Sequence, residues 1–170
     1  MATGTLVSVE EYLSTSYRPD CEYIDGVILE RNLGEFDHSS LQTAFAAYFL
    51  FRRKQWKLMA VVEQRVQVKP TRFRVPDVCV LLGREPQDQI ITTPPFICIE
   101  ILSKKDTVDS VQDRVDDYLA MGVSYVWVIN PRSRRAFAYT TQGIGEAKDG
   151  ILRTENPEFV VPLEEVFDLI

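Results

Sequence analysis

Two apolar runs, each carrying one acidic residue, dominate the middle of the chain. Residues 95–103 are apolar or proline at seven of nine positions, which predicts a strand buried on both faces of a sheet. Glu100 lies inside this run. Residues 74–82 form the second run, in which Asp77 follows Pro76 directly. Because proline cannot donate to a ladder, we expect strand pairing to begin after it, with Asp77 at the entrance.

The two acids admit more than one interpretation. An ionised carboxylate inside an apolar strand is costly unless something pairs with it or binds it. Glu100 is therefore either a side chain whose head reaches solvent or an arginine, or a metal-ligand or catalytic acid at the end of a central strand. Acids at the ends of neighbouring strands can point at one spot. Mg²⁺ usually takes one or two carboxylates plus waters, so Asp77 and Glu100 are candidate ligands.

The remaining pattern predicts four helices and a mixed sheet. Asp25-Gly26 is a strong two-residue turn signal, so residues 21–30 are expected to form a β-hairpin. A strand, a helix and a strand between residues 95 and 131 favour a parallel crossover. Helices are predicted at 8–13, from 37 to about 54, at 108–121 and at 162–169, and further strands at 58–62, 64–68, 135–139 and 159–161.

These elements define an α/β fold of the mixed α+β type. The chain of 170 residues is expected to form one domain, residues 1–170, with an N-terminal helix and hairpin beside a central mixed sheet. Residues 83–94 are expected to form a loop, since Pro86 and Pro94 punctuate them.

Composition narrows the class of protein. A net charge of −6 and a pI near 4.9 argue against a protein that binds nucleic acid through general positive charge, although a local patch or a metal ion can offset acids at a site. Residues 52–54, two arginines and a lysine, are either a solvated helix end or such a phosphate-binding patch.

Localisation is predicted to be cytoplasmic. Cys21, Cys79 and Cys98 lack paired short spacing, which favours buried free thiols in a reducing compartment. Residues 1–5 do not begin a signal peptide, and no apolar run approaches the roughly 20 residues that span a bilayer, so no membrane partner is expected.

An ordered set of short motifs resembles a known family. The set comprises Glu22 with Asp25-Gly26, Asp37-His38, residues 75–78, residues 99–103, Tyr118 and residues 125–131. In this order they resemble the large bacterial family of restriction endonuclease domains, common in cyanobacteria, that is assigned to the PD-(D/E)xK nuclease-like superfamily. The resemblance covers about residues 8–169.

The resemblance implies a restriction-endonuclease-like core, a mixed sheet of roughly four strands flanked by helices, with the site along one edge. It implies that Asp77 and Glu100 bind Mg²⁺ or Mn²⁺, together with a backbone carbonyl near Ile101. It further implies that Glu22 approaches the metal, and that His38 stands at the start of the long helix. His38 is otherwise explained as a helix-start residue bonded to backbone.

Arg114 departs from the family pattern. The resemblance implies a lysine at this place on the helix that follows the Glu100 strand. Arginine stays protonated and prefers planar partners, so Arg114 suits charge stabilisation on a phosphate and not the role of a general base. Lys104 or Lys105 is a candidate substitute. Alternatively, Arg114 pairs with Asp77 or Glu100 in place of a metal.

These observations lead to three hypotheses. The first is a metal-dependent endonuclease that hydrolyses phosphodiester bonds, in DNA more than in RNA, with Asp77, Glu100, Arg114, Glu22 and His38 as catalytic residues. The second is a catalytically weakened relative that serves as a nucleic-acid-binding or protein-interaction module. The third is hydrolysis of another phosphoester. A homodimer is plausible in each case, because apolar tail residues and hairpin edges are available for pairing.

Overall fold

Helices and strands fill most of the chain that the computed structural model describes, which is residues 6–32, 34–83 and 88–170. The helices are α1 (Val9–Ser14), α2 (Phe36–Trp56), α3 (Val108–Met121) and α4 (Leu163–Phe167). The strands are β1 (Cys21–Ile24), β2 (Val27–Glu30), β3 (Leu58–Val62), β4 (Val66–Lys69), β5 (Arg72–Arg74), β6 (Val78–Leu82), β7 (Ile97–Ile101), β8 (Tyr125–Asn130), β9 (Arg135–Thr140), β10 (Gly143–Glu146), β11 (Ile151–Arg153) and β12 (Val160–Pro162). The prediction for residues 1–5 and the part of the predicted loop at 84–87 lie outside the described residues.

The largest sheet has six strands in the order β10-β9-β8-β7-β6-β3. The pairs within it are antiparallel except β7 and β8, which are parallel and joined by α3. The predicted crossover is therefore confirmed, in an α/β fold with a mixed central sheet. With six strands, the sheet is wider than the four that the resemblance implies; β3 lies at one edge and the β9–β10 hairpin at the other.

A second sheet holds the hairpin apart from the main sheet. Its order is β2-β1-β5-β4, and all of its pairs are antiparallel. The predicted hairpin turn is confirmed, with Asp25 and Gly26 at φ of 50° and 95°. A two-residue turn with two positive φ angles matches the twist of the flanking strands and favours glycine. The strand β10 was not predicted, because two of its four residues are glycine.

The main sheet is covered on both faces. On one face, α2 packs its buried residues, Phe45 and Phe49 among them, against Ile97, Ile99 and Trp127. On the other, Val115 and Tyr118 of α3 pack against Cys79, Cys98, Val126 and Val128. Burial on both faces explains why β7 and β8 are continuous apolar runs, and it leaves Glu100 as a buried acid that needs partners.

Local signals fix the ends of α3, which carries Arg114. Thr107 and Ser110 form a capping box at its start. Gly122 ends it at φ 108°, a left-handed conformation that glycine adopts without strain. The helix bounds match the predicted range of 108–121. The start and end of α3, and with them the position of Arg114 on the helix, are therefore determined by the local sequence.

Two expectations concern other parts of the chain. Cys21, Cys79 and Cys98 are buried and free, as predicted. None of the helices within 6–32, 34–83 and 88–170 has the length and apolar character that a bilayer crossing requires.

Candidate active site

Asp77 and Glu100 lie opposite each other at one end of the sheet. The antiparallel register of β6 and β7 pairs Val78 with Ile99, and one further step sets Asp77 against Glu100. Directly opposite residues on an antiparallel pair point to the same face. Asp77 Oδ2 also accepts a hydrogen bond from the backbone N–H of Ile101, at 2.7 Å. The two acids are 3% and 5% exposed, so both are removed from bulk water.

Two basic side chains face the Asp77 carboxylate. Arg31 Nη2 donates to Asp77 Oδ1 at 2.7 Å, and His38 Nε2 lies 3.3 Å from Asp77 Oδ2. Burial alone would lower the pKa of His38, but the hydrogen bond to Asp77 and its charge raise that pKa overall. His38 Nδ1 is buried without a hydrogen-bond partner. The ring therefore faces the acid, and not the backbone as the structural alternative supposed.

Glu100 carries a negative charge that its surroundings disfavour. Tyr118 donates its hydroxyl to Glu100 Oε1 at 2.7 Å. Burial is the main cause that raises the pKa of Glu100 to about 7; Arg114 and the Tyr118 hydrogen bond oppose the rise, and Asp77 and Glu22 add to it. Arg114 Nε lies 3.0 Å from Glu100 Oε2, yet its N–H is not aimed well enough to make a hydrogen bond. The attraction between Arg114 and Glu100 is therefore mainly electrostatic, without a well-aligned hydrogen bond.

Arg114 is anchored at its other end by Asp106. Its Nη2 donates to Asp106 Oδ1 at 2.8 Å, and Asp106 Oδ2 accepts from the N–H and the hydroxyl of Ser103. Burial would raise the pKa of Asp106, but Arg114 and these hydrogen bonds hold it below its usual range. Asn32 Nδ2 completes the chain by donating to Ser103 Oγ at 2.6 Å. Arg114 thus bridges one site acid and one supporting acid.

Glu22 enters the site with both oxygens engaged. Its Oε2 accepts from Arg74 Nη1 at 2.8 Å, and its Oε1 accepts from the backbone N–H of Val75 at 3.1 Å. Arg74 in turn donates to Asp117 of α3 at 2.8 Å. This buried network connects the hairpin sheet to α3, the helix that carries Arg114. Glu22 therefore stabilises the arrangement of the elements that form the site.

Most of these side chains line one pocket of about 120 Å³, while Tyr118, Arg74 and Asp117 support it from outside the described lining. Its described lining includes every site residue predicted from the sequence: Glu22, His38, Asp77, Glu100, Ile101 and Arg114. Lys104 and Lys105 are absent from that lining, and the exposed Lys104 pairs instead with Glu35 at 3.3 Å. The candidate substitutes for the family lysine therefore lie outside the pocket.

The ligand types and the charge of the pocket lining are compatible with a divalent cation. Six carboxylates and two guanidinium groups belong to its described lining, an excess of negative charge. No group of three or more His, Cys, Asp or Glu side chains takes metal-binding geometry within the described ranges. Mg²⁺ does not need one, because it commonly takes one or two carboxylates and keeps waters. Asp77 and Glu100 are two carboxylates of this kind, and each now contacts one guanidinium, Asp77 that of Arg31 and Glu100 that of Arg114.

Ten of the described lining residues were not predicted as site residues, and three of them, Arg31, Asn32 and Gln42, contact the site acids or their partners. Gln42 donates its amide to the backbone carbonyl of Asp77 at 3.0 Å. Arg31 and Asn32 follow β2 outside any regular element, so no periodicity marked them. The only sequence signal for Gln42 is its position one turn after His38 on α2.

A mixed sheet flanked by helices, with two acids on adjacent strand ends, defines a nuclease-like fold. The solved structure of a putative nuclease belonging to DUF820 from Anabaena variabilis matches it with a TM-score of 0.79 and 22% identity, covering 96% of this chain and 98% of that one. At this identity the likeness shows the fold alone. A family model described as "Putative restriction endonuclease", Uma2, matches residues 9–167, and the chain belongs to that family. Among curated proteins, no sequence matches.

Proposed function

We propose that the protein is a metal-dependent endonuclease that hydrolyses phosphodiester bonds, in DNA in preference to RNA. Membership of the restriction endonuclease family supports a nuclease acting on nucleic acid. The observation that carries the finer proposal is the opposition of Asp77 and Glu100 in a pocket rich in carboxylates. Such a pocket repels a phosphate until a cation offsets its charge.

Asp77 and Glu100, with the backbone carbonyl of Ile101, would hold Mg²⁺ or Mn²⁺. A cation there supplies a water of lowered pKa and neutralises charge on the phosphoryl oxygens. The chain's own residues do the positioning. Tyr118 and the Ile101 N–H fix one oxygen of each carboxylate, and the other oxygens, which now contact Arg31 and Arg114, are the ones that would bind the cation.

Arg114 and Arg31 are the proposed phosphate contacts. Each guanidinium now lies against one acid, Arg114 against Glu100 and Arg31 against Asp77. Because arginine binds planar oxyanions through two donors, both are suited to a scissile phosphate once a cation shares the acids. His38 is placed to hold or pass a proton beside Asp77, and Glu22 to keep the pocket in shape and order water.

A second candidate function rests on the same two arginines. Arg114 and Arg31 each neutralise one of the two central acids, Glu100 and Asp77, as expected for a nuclease fold that binds nucleic acid or protein without cutting. Measured Mn²⁺ binding at the acids would argue against this function.

The endonuclease proposal also includes a homodimer and a cytoplasmic location. Three buried free thiols support the cytoplasmic location.

The test is cleavage of plasmid and single-stranded DNA with Mg²⁺, with Mn²⁺ and with chelator. We expect cleavage that requires the cation and falls at least about a hundredfold in Asp77→Asn and in Glu100→Gln. Asp149→Asn, which changes an exposed acid far from the pocket lining, is the matched control. Cleavage that persists in both site variants, or in chelator, overturns the proposal.

A further inference from the structure

A second groove opens beside the carboxylate pocket. It has a volume of about 360 Å³, within the range of small-ligand sites, and lies between the start of α3 and the strands β8, β9 and β10. Ser103 and Asp106 line both the groove and the carboxylate pocket, so the two are direct neighbours. A polymer bound at the pocket would therefore pass close to the groove.

The floor of this groove is aromatic and apolar. Phe137 and Tyr139 of β9 pair with Val128 and Val126 of β8, which puts them on the α3 side of the sheet. The helix α3 packs on β8, whereas Phe137 and Tyr139 lie on the next strand outward. Both side chains therefore stay partly exposed. Ile144 on β10 is 58% exposed and Val108 on α3 is 85% exposed, which widens the open apolar surface. Together, these four side chains and the rim residues Lys104 and Arg132 are termed the aromatic groove.

The rim of the aromatic groove is cationic. Lys104 and Arg132 are exposed at its edge. Lys104 pairs with Glu35 at 3.3 Å, a surface contact that is weak enough to exchange for a phosphate. Asn130 also lines the groove, and its Oδ1 accepts from the N–H groups of Arg132 and Ser133. The carboxylate pocket is acidic while the rim of this groove is basic, as expected for neighbouring sites that take a cation and a phosphate.

We propose that the aromatic groove binds an unpaired base of the nucleic-acid strand whose phosphate lies at Asp77 and Glu100. Aromatic rings beside a basic rim are the arrangement on which single-stranded nucleic acid binds, with bases stacked on rings and phosphates on cations. A base inside a duplex has no free face, so the occupant comes from a single strand or from a locally unpaired segment. The inference rests on the proposed function and narrows its substrate to that class.

The test measures binding separately from cleavage. In the Asp77→Asn background, the affinity of a fluorescent single-stranded oligonucleotide is measured by anisotropy for Phe137→Leu and Tyr139→Leu. Phe51→Leu, an aromatic that is 74% exposed on α2, is the matched control. We expect each groove variant to weaken binding about tenfold and the control to leave it unchanged. Ile144→Ser and Arg132→Gln alter exposed side chains only, so they repeat the test without risk to the core.

A cross-link locates the base. Irradiating the complex with an oligonucleotide that carries 5-iodouracil should join the base to the peptide of residues 135–140. Groove variants that bind as tightly as the control, or cross-links to other peptides, overturn the inference. These results do not bear on cleavage by Asp77 and Glu100, which the nuclease assay tests separately. Loss of binding in the groove variants, together with no cleavage by the wild type, supports the groove and rejects the hydrolysis. A changed oligomeric state at constant affinity would make the groove an interface between copies and overturn the inference.

Discussion

The carboxylate of Asp77 accepts a hydrogen bond from the backbone N–H of Ile101 at 2.7 Å. Ile101 directly follows Glu100, so this bond fixes the relative position of the two acids. Neither strand can slide without breaking it, and a one-residue slip would turn Glu100 to the other face of the sheet. The geometry of the acid pair is therefore a property of the fold, and the predictions below depend on it.

Binding of Mn²⁺ should stabilise the protein against heat. A ligand that binds only the folded state at a hundred times its dissociation constant adds about 2.7 kcal/mol to the free energy of unfolding. We expect a concentration-dependent rise in melting temperature for the wild type and for Asp149→Asn, measured by calorimetry. Asp77→Asn should show no rise, because it removes the charge of one ligand. An equal rise in Asp77→Asn would place the cation elsewhere.

Replacing Glu100 with glutamine should change how stability depends on pH. The pKa of Glu100 is raised from 4.5 to about 7 in the folded state. Between these two pH values the unfolded chain loses the proton while the folded protein keeps it. The free energy of unfolding of the wild type therefore falls as pH rises from 4.5 through 7. Glutamine does not titrate. Relative to wild type, Glu100→Gln should gain up to about 3 kcal/mol between pH 4.5 and 8, by urea unfolding without metal. A difference that is flat with pH would contradict the raised pKa.

Removing Arg114 should cost both stability and cleavage. Its guanidinium is the buried partner of Glu100 and Asp106, and truncating one member of such a network leaves uncompensated charge. Arg114→Gln is expected to lower the free energy of unfolding by about 3 kcal/mol. Arg153→Gln breaks an exposed ion pair with Asp149 and should leave the unfolding midpoint where it is. Arg114→Lys restores the charge as a compact point charge, so cleavage above that of Arg114→Gln would support a phosphate contact.

Glu22 separates a supporting role from a ligand role. Both of its oxygens accept hydrogen bonds, from Arg74 and from the Val75 N–H. Glu22→Gln should lower the free energy of unfolding by about 2 kcal/mol, because Arg74 keeps Asp117 as a partner. Its loss of cleavage should be smaller than that of Asp77→Asn. An equal loss of cleavage with unchanged stability would instead identify Glu22 as a metal ligand.

Much of the fold could be predicted from local pattern. The doubly buried strands β7 and β8, the capped helix α3 and the Asp25-Gly26 turn each carry a strong signal within ten or fifteen residues. The separation of the hairpin into a second sheet was not predicted. It depends on β5 pairing with β1 across about fifty residues, and no periodicity encodes which distant strand an edge accepts.

The site was predicted only in part, because some of its residues carry a local signal and others are brought together only by folding. Asp77 and Glu100 stand out because an acid in an apolar strand is costly and therefore conspicuous. Arg31 does not, because an arginine after a strand is ordinary until folding brings it to 2.7 Å from Asp77. The resemblance identified Glu22 and His38, which composition and spacing alone left as hairpin and helix-start residues. The partner of Arg114 stayed open between two acids, and the register of α3 over β7 selects Glu100.

The most direct measurement of the central claim is anomalous diffraction from crystals soaked in Mn²⁺. We expect a manganese peak between the carboxylates of Asp77 and Glu100, with Arg31 or Arg114 turned away from the acid that it now contacts. A site without manganese at a saturating concentration, with both arginines still paired to these acids, would contradict the metal-dependent mechanism.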